Sequence, residues 1–346
     1  MLNKDIAKQR SLLTQKIRNF FVNNNFLEVE TPIMTPFPGM EPHLTPFETK
    51  LTQPFSKKTI PLYLNTSPEL QMKKLLGAGF NDIFNITKVF RNGELNGQLH
   101  NTEFTMLEWY RENANYKNLM TDCENLILSL ICKILPGEDS QSVKITPNLI
   151  TYQAQTIDLT PPWPRLSTRE LFLNYCKIDL TKNRTFATFK KTAQTHDYDT
   201  NHCDTWDDIY FKIFLNNIEP NLPKNRPIFI YDYPATQAAL AKKSEKNPFF
   251  AERFELYIAG TELANAFSEL IDPNEQRARL TEEQRLRKKL NKTVFKIDKE
   301  FLQSLKNIKN PCAGIALGLD RLFMILLDKT NIGDVLLFPM EKMLIK

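Results

Sequence analysis

Histidine is scarce in this chain, long apolar runs are missing, and the cysteines form no motif. Four histidines in 346 residues are too few to expect a histidine-built metal centre. The five cysteines, Cys123, Cys132, Cys176, Cys203 and Cys312, are odd in number and scattered, and no CxxC occurs. That excludes a disulfide framework or a zinc ribbon and leaves reduced, mostly buried thiols. No segment approaches the roughly 18 consecutive apolar residues of a membrane span. The opening stretch, MLNKDIAKQRSLLTQKIRNFF, is polar and helical and has neither the apolar core nor the cleavage site of a secretion signal. A cytoplasmic protein without a membrane partner is expected. The formal net charge is only +5, which favours an acidic partner or a nucleotide but lays down no basic stripe for nucleic acid.

What is present is a composition able to build a core. Apolar residues make up 42% and charged residues 25%, which fits one large α/β or α+β enzyme domain over 1–346. No internal repeat or clear linker divides the chain. Ile6, Leu12, Leu13, Ile17, Phe20 and Phe21 mark an amphipathic helix over 5–25, ended by the asparagines at 23–25. FLEVETPIM (26–34) alternates like a strand with Pro32 at an edge. A loop is expected over 35–48 and a strand at 60–66. A helix over 67–79 starts with Ser67 as N-cap and Pro68 behind it. Strands are expected at 82–91 and 103–111 around a polar loop, then a helix over 115–135. Residues 136–225 are the least legible. Further expectations are a strand at 226–234, a hairpin in 254–270 turning at Ala259-Gly260, a charged helix over 272–292, and a strand running into a helix over 312–330. This order predicts an α+β fold, a mainly antiparallel sheet flanked by helices.

Three glutamates stand out in FELYIAGTELANAFSEL: Glu255, Glu262 and Glu269, each seven residues apart. With the turn at 259–260, Thr261 pairs with Ile258 and Glu262 with Tyr257, so Glu255 and Glu262 become diagonal neighbours on one face. Two close carboxylates repel unless a cation joins them, and Mg²⁺ shared with substrate phosphates would do so. Glu269 lies further along and suits another cation, such as an amino group. The plain alternative is a solvated polar face. Arg91 and Arg111 bound a strand–loop–strand, where a bidentate guanidinium suits phosphate. In GIALGLDRLFMIL, Gly318 ends a strand and Arg321 sits on the first turn of a helix. Each has an ordinary structural alternative, a surface arginine or a glycine turn before a core helix.

Taken together, these segments resemble the class II aminoacyl-tRNA synthetases. FLEVETPIM (about 26–34) is similar to motif 1, VFRN…HNTEFTMLEWYR (about 88–111) to motif 2 and GIALGLDRLFMIL (about 312–328) to motif 3. TSPEL (66–70) and TELANAFSEL (261–270) resemble the lysine-type enzymes. With motif 1 so near the start, no anticodon-binding OB-fold is expected. HLTPFET, MKKLLGAG and EFTMLEWYR, and Ala316 where lysyl-tRNA synthetases usually have Gly, resemble a family of truncated lysyl-tRNA synthetase paralogues (EpmA, also PoxA or GenX) that joins (R)-β-lysine to a lysine of elongation factor P.

The resemblance implies ATP and Mg²⁺ as cofactors, (R)-β-lysine or lysine as substrate, elongation factor P as acceptor, and a homodimer built through motif 1. tRNA is not expected as a partner. It implies Arg91 on the α-phosphate and Arg321 on the γ-phosphate. Asn92, Gly93 or Glu94, Asn101, Phe104, Glu262, Leu263 and Gly318 would lie along the nucleotide, with Phe104 on the adenine. Glu255 and Glu262 would hold Mg²⁺. Ser67, Pro68, Glu69, Tyr110, Asn265, Glu269 and Ala316 would surround the amino acid, with Glu69 on the amine near the reacting carboxylate and Glu269 on the ε-ammonium. Two positions depart from the family pattern. The FRNGELNGQLHN loop is one residue longer, and Ala266 replaces a glycine. Other readings are a free-standing tRNA-charging core, a catalytically silent paralogue acting as regulator or sensor, and an amidating enzyme like asparagine synthetase A.

Overall fold

A computed structural model of the chain describes residues 3–55, 58–95, 97–131, 148–238 and 240–344. Helix α1 (Lys4–Asn23) buries Ile6, Leu13, Ile17 and Phe21, one apolar stripe at helical spacing. Asn3 caps it by accepting from the Asp5 and Ile6 N–H groups. The asparagines end it, with Asn25 at φ +63°.

Residues 26–34 do not form the single strand expected. Only Leu27–Glu28 (β1) joins the main sheet, and Met34–Thr35 (β2) enters a small sheet with Glu48–Thr52 (β3) and Thr59–Leu64 (β4). Pro32 has no N–H to continue a ladder, so the run breaks around it. Helix α2 (Glu69–Gly77) begins one residue later than expected, with Pro68 at the N-cap position. Ser67 still accepts the Glu69 N–H at 3.0 Å. Strands β5 (Ile83–Phe90) and β6 (Glu103–Glu112) and helix α3 (Tyr116–Ile131) follow the predicted runs. The last residues of that predicted helix, with Cys132, lie outside the described residues.

The hardest stretch to read contains β7 (Leu149–Tyr152), β8 (Gln155–Asp158), β9 (Arg165–Ser167), α4 (Thr168–Cys176), α5 (Phe186–Thr195) and α6 (Trp206–Ile213). Each of the three helices starts with a reciprocal cap: Ser167 with Glu170, Thr185 with Thr188, Thr205 with Asp208. They enclose an aromatic cluster over Ile228 and Ile230 of β10 (Ile228–Pro234). Then come β11 (Phe250–Ile258), β12 (Thr261–Ser268), α7 (Pro273–Lys289), α8 (Lys299–Leu305), β13 (Cys312–Gly318) and α9 (Leu319–Leu326).

The main sheet runs β1-β5-β6-β13-β12-β11-β10-β9. It is antiparallel from β5 to β10 and parallel only at its two edges, the α+β architecture expected. The last strand, β13, is inserted at its centre between β6 and β12. Helices α1, α3 and α9 cover one face, where Leu107, Trp109, Ala266, Ala313, Ile315 and Leu317 join the core. The residues that alternate with them, among them Glu108, Tyr110, Asn265, Gly314 and Ala316, line a cavity on the opposite face.

Candidate active site

The cavity has a volume of about 610 Å³, within the range of small-ligand pockets. Its floor is made of cross-strand rows. Glu108, Ala316 and Asn265 stand side by side on β6, β13 and β12, and Tyr110, Gly314 and Phe267 form the next row. The central strand carries the smallest residues of each row. A Cβ at Gly314 would collide with the Tyr110 ring and the Glu269 carboxylate.

One end of the cavity is acidic. Glu108 is 1% exposed and accepts from the Ser67 hydroxyl at 2.5 Å and from the Tyr110 hydroxyl at 3.1 Å. Burial, and then nearby Glu69, push its carboxyl up to about 8 against those hydrogen bonds. Glu69, on the first turn of α2, also lines the cavity. Its Oε1 lies 2.6 Å from Nζ of Lys73, which is itself 2.5 Å from Oε2 of Glu269. Lys73 is fully buried, with its ammonium 5.2 Å from the centre of the Phe267 ring. Burial alone would lower its pKa, but Glu269 and Glu69 outweigh burial and hold the ammonium charged.

Glu269, expected on the substrate's ε-ammonium, stands beside this lysine. Oε2 of its carboxylate is met by a lysine of the chain itself, and Oε1 lies where a Cβ at Gly314 of the cavity floor would project, although Glu269 is not among the lining residues. Pro68, at the helix N-cap, is not among them either.

The other end is basic. Arg91 directly follows β5, with its guanidinium 5.2 Å from the centre of the Phe104 ring and 3.8 Å from Glu94. Arg321, on the first turn of α9, donates to the carbonyls of Glu262 at 2.9 Å and Leu99 at 3.3 Å, with a third nitrogen 3.0 Å from Nε2 of His100. Gly318, Leu263 and Asn101 share the wall. Asn101, however, spends its amide on the protein: it donates to the Glu103 carbonyl at 2.6 Å and accepts from the Met340 N–H at 2.9 Å. One donor and one acceptor of the amide thus anchor the loop at the cavity wall. Asn92 is drawn back by its N–H bond to the Thr45 carbonyl. Of Gly93 and Glu94, only Glu94 lines the cavity. Arg111 is turned away and pairs with Asp122 at 2.8 Å.

The hairpin pairs Ile258 with Thr261 and Tyr257 with Glu262 as expected, then slips by one residue, so Glu255 stands opposite Asn265. Glu255 already has partners for both oxygens: Arg253 at 2.6 Å on one, Tyr233 at 2.6 Å and Tyr257 at 3.0 Å on the other. The cation beside it is an arginine of its own strand. Glu262 faces the cavity. Burial, and then the charge of Glu255, push its carboxyl up to about 7, against Arg321 and Arg253. Among the described residues no three His, Cys, Asp or Glu side chains converge on a metal position. The donor set fits an ion shared with ligand oxygens at Glu262, and fits Glu255 as a direct ligand poorly.

Comparison with known proteins accounts for this arrangement. The family model described as tRNA synthetases class II (D, K and N) matches residues 2–342. The chain belongs to the class II tRNA synthetase family. A protein of Avibacterium paragallinarum named elongation factor P--(R)-beta-lysine ligase is 39% identical over 332 residues, covering 96% of this chain and 94% of the relative. One of the same name from Haemophilus influenzae is 37% identical over 334 residues, with the same coverage. A lysine--tRNA ligase of Magnetococcus marinus is 36% identical over 344 residues, which is 98% of this chain but 64% of that protein.

The run that resembles motif 2 (about 88–111) lies in the β5–β6 pair and the run that resembles motif 3 (about 312–328) in β13 and α9, and the two meet as neighbouring strands at the cavity floor. Two residues of the acidic end escaped the sequence reading. Glu108 sits in an apolar strand, and its signal was the i, i+2 spacing to Tyr110. Lys73 lies four residues after Glu69 on one helix, a spacing that places the two together.

Proposed function

We propose that the chain activates (R)-β-lysine with ATP as an acyl-adenylate and transfers it to the side-chain amine of a lysine on elongation factor P. The observation that carries this reading is one cavity with two opposite ends: Glu69 and Glu108 at one, Arg91 and Arg321 at the other. A diamine acid joined to a nucleotide has that charge pattern. The names of the relatives that share nearly the full length supply the substrate and the acceptor. A ligase dependent on ATP follows from the family.

Arg91 binds the α-phosphate and stabilises the charge that grows there as the substrate carboxylate attacks in line, while Arg321 holds the far phosphates. Phe104 beneath Arg91 supplies a face for the adenine. Glu262 would hold Mg²⁺, which when bound neutralises charge on the departing pyrophosphate. Glu69 and Glu108 take the two ammonium groups, with Ser67 and Tyr110 orienting Glu108. Glu269 acts at one remove, through Lys73. Lys73 cancels one of the negative charges, so that the pocket suits a dication without an excess of unpaired carboxylate. No protein nucleophile is required.

A homodimer and action in the cytoplasm belong to the same reading. Leu12, Val22, Leu27, Ile33 and Met34 are large, apolar and exposed along α1 and the 27–34 segment, a surface that suits the homodimer. Among the described residues no helix is long and apolar enough to cross a membrane.

ATP–pyrophosphate exchange with (R)-β-lysine, L-lysine and no amino acid tests the proposal. Exchange that prefers (R)-β-lysine is expected. Preference for L-lysine, with transfer to tRNA, would replace it by the tRNA-charging reading. No exchange with either would leave the silent-paralogue reading.

A further inference from the structure

Two carboxylates of the cavity have no part in the activation step. Glu41 comes from the 36–47 loop and Glu283 from α7, and both line the cavity. Loop and helix are fastened to each other by Arg287, which is 1% exposed. Its guanidinium donates to the carbonyls of Glu41 at 2.9 Å, Leu44 at 3.1 Å and Thr293 at 2.6 Å. Residues 283 and 287 are one turn apart, so Glu283 shares the helix face that grips the loop. Oε2 of Glu41 is buried and has no hydrogen-bond donor, an arrangement that costs stability unless a ligand completes it. A Cβ at Gly39 would collide with that same oxygen, so the loop is shaped around it.

The pair borders the same cavity as Glu69 and Arg91. Glu41 feels Glu69 and Lys73 from the amine end and Arg91 from the phosphate end. Glu283 feels Glu41 and Glu69, with Arg279 and Arg287 of its own helix. Lys296 and Asp298 line the adjoining cleft that both carboxylates also border. In the proposed reaction the acyl–phosphate bond of the adenylate lies between the amine end and the phosphate end, in the cavity that Glu41 and Glu283 line.

We infer that Glu41 and Glu283 receive the acceptor lysine of the second step: they hold its ammonium next to the acyl carbon and take the protons it must lose. This rests on the reading of the chain as an enzyme that acylates a lysine side chain. One carboxylate accepts a proton from the ammonium, giving a neutral amine. The nitrogen lone pair then forms the C–N bond, the C–O bond to the phosphate breaks, and AMP departs with that oxygen. The second proton on nitrogen passes to the other carboxylate, leaving a neutral amide. Two protons leave, and the two carboxylates can take them once the positive charge of the incoming ammonium has ionised both.

The environment supports this role. Burial, and then Glu41 and Glu69, push Glu283 up to about 8. Burial and Glu69 likewise raise Glu41, against Arg91 and Lys73. A carboxylate raised in this way is a better match to an amine of pKa about 10.4 than one at its ordinary value.

The test separates the two half-reactions in E41Q, E283Q and the double variant. Three rates are compared with the unsubstituted enzyme: ATP–pyrophosphate exchange with (R)-β-lysine, capture of the adenylate by hydroxylamine, and single-turnover transfer to elongation factor P. Hydroxylamine is neutral at pH 7 and needs no base. Transfer should fall about 100-fold, with the steepest loss at low pH. Exchange and hydroxamate formation should fall far less, which also verifies folding. Transfer within about threefold of the unsubstituted enzyme overturns the inference. So does a raised KM for (R)-β-lysine with an equal fall in all three rates, which would assign the pair to the first substrate. If the unsubstituted enzyme fails in exchange, the proposed function itself is wrong, and that is seen before any variant is compared.

Discussion

At the scale of single residues, the site depends on which side chains are small and which charges are already paired. Gly314 faces Tyr110 and Glu269 so closely that no side chain fits. G314A should displace the Tyr110 ring, destabilise the fold by about 1–3 kcal/mol and abolish measurable exchange with either lysine isomer. Denaturant unfolding and exchange on the same preparation check this, and a variant with unchanged stability and exchange would refute it. The sequence reading placed Glu69, Tyr110 and Glu269 in the amine pocket and passed over Glu108, which the structure sets beside Ser67 and Tyr110. A carboxylate in a strand shows which face it shares, but not whether a lysine from a distant helix has already neutralised it.

At the scale of elements, the hairpin that carries Glu255 and Glu262 turns on Ala259 at φ +53° and Gly260 at φ +74°. Both are left-handed, as a two-residue type I′ turn requires, and alanine is the strained member. A259N, giving Asn-Gly, should raise stability by about 0.5–1 kcal/mol without changing KM for ATP; thermal unfolding beside exchange kinetics tests it, and a lower melting temperature would contradict it. This turn was legible because its cue is local. The caps of α4, α5 and α6 are just as local, though the sequence reading passed over them. The slip between Leu256 and Tyr257, by contrast, sets Glu255 opposite Asn265, and which partner a strand residue faces across such a slip is not carried by the local pattern. Residues 26–34 alternate as a strand should, yet whether such a run is paired depends on a neighbour and on the missing N–H of Pro32.

At the scale of the whole molecule, the acidic end makes stability depend on pH. Glu108 and Glu283 stand at about 8 in the folded state against an ordinary 4.5. The folded chain therefore binds more protons than the unfolded chain between about 4.5 and 8, and these groups make stability fall as pH rises through that window. The melting temperature without substrate should be higher at pH 5.5 than at pH 8, and (R)-β-lysine with ATP should narrow the difference, because an ammonium beside Glu108 lets that carboxylate ionise. Calorimetry at both pH values is the measurement; a melting temperature that rises with pH would count against the assignment.

The sequence by itself determined the secondary elements with local signals, the antiparallel α+β class, the two arginines and the carboxylates in the chain, and through its three motifs the family. Those features rest on periodicity, on turn chemistry and on residue types that cannot substitute for one another. Only the tertiary structure decided that β13 enters the sheet between β6 and β12, that Lys73 meets Glu269, and that Glu41 and Glu283 are brought together by Arg287. Each of these joins residues far apart in the chain. The free energy that selects them comes from burial and charge pairing in three dimensions, which a one-dimensional pattern does not encode.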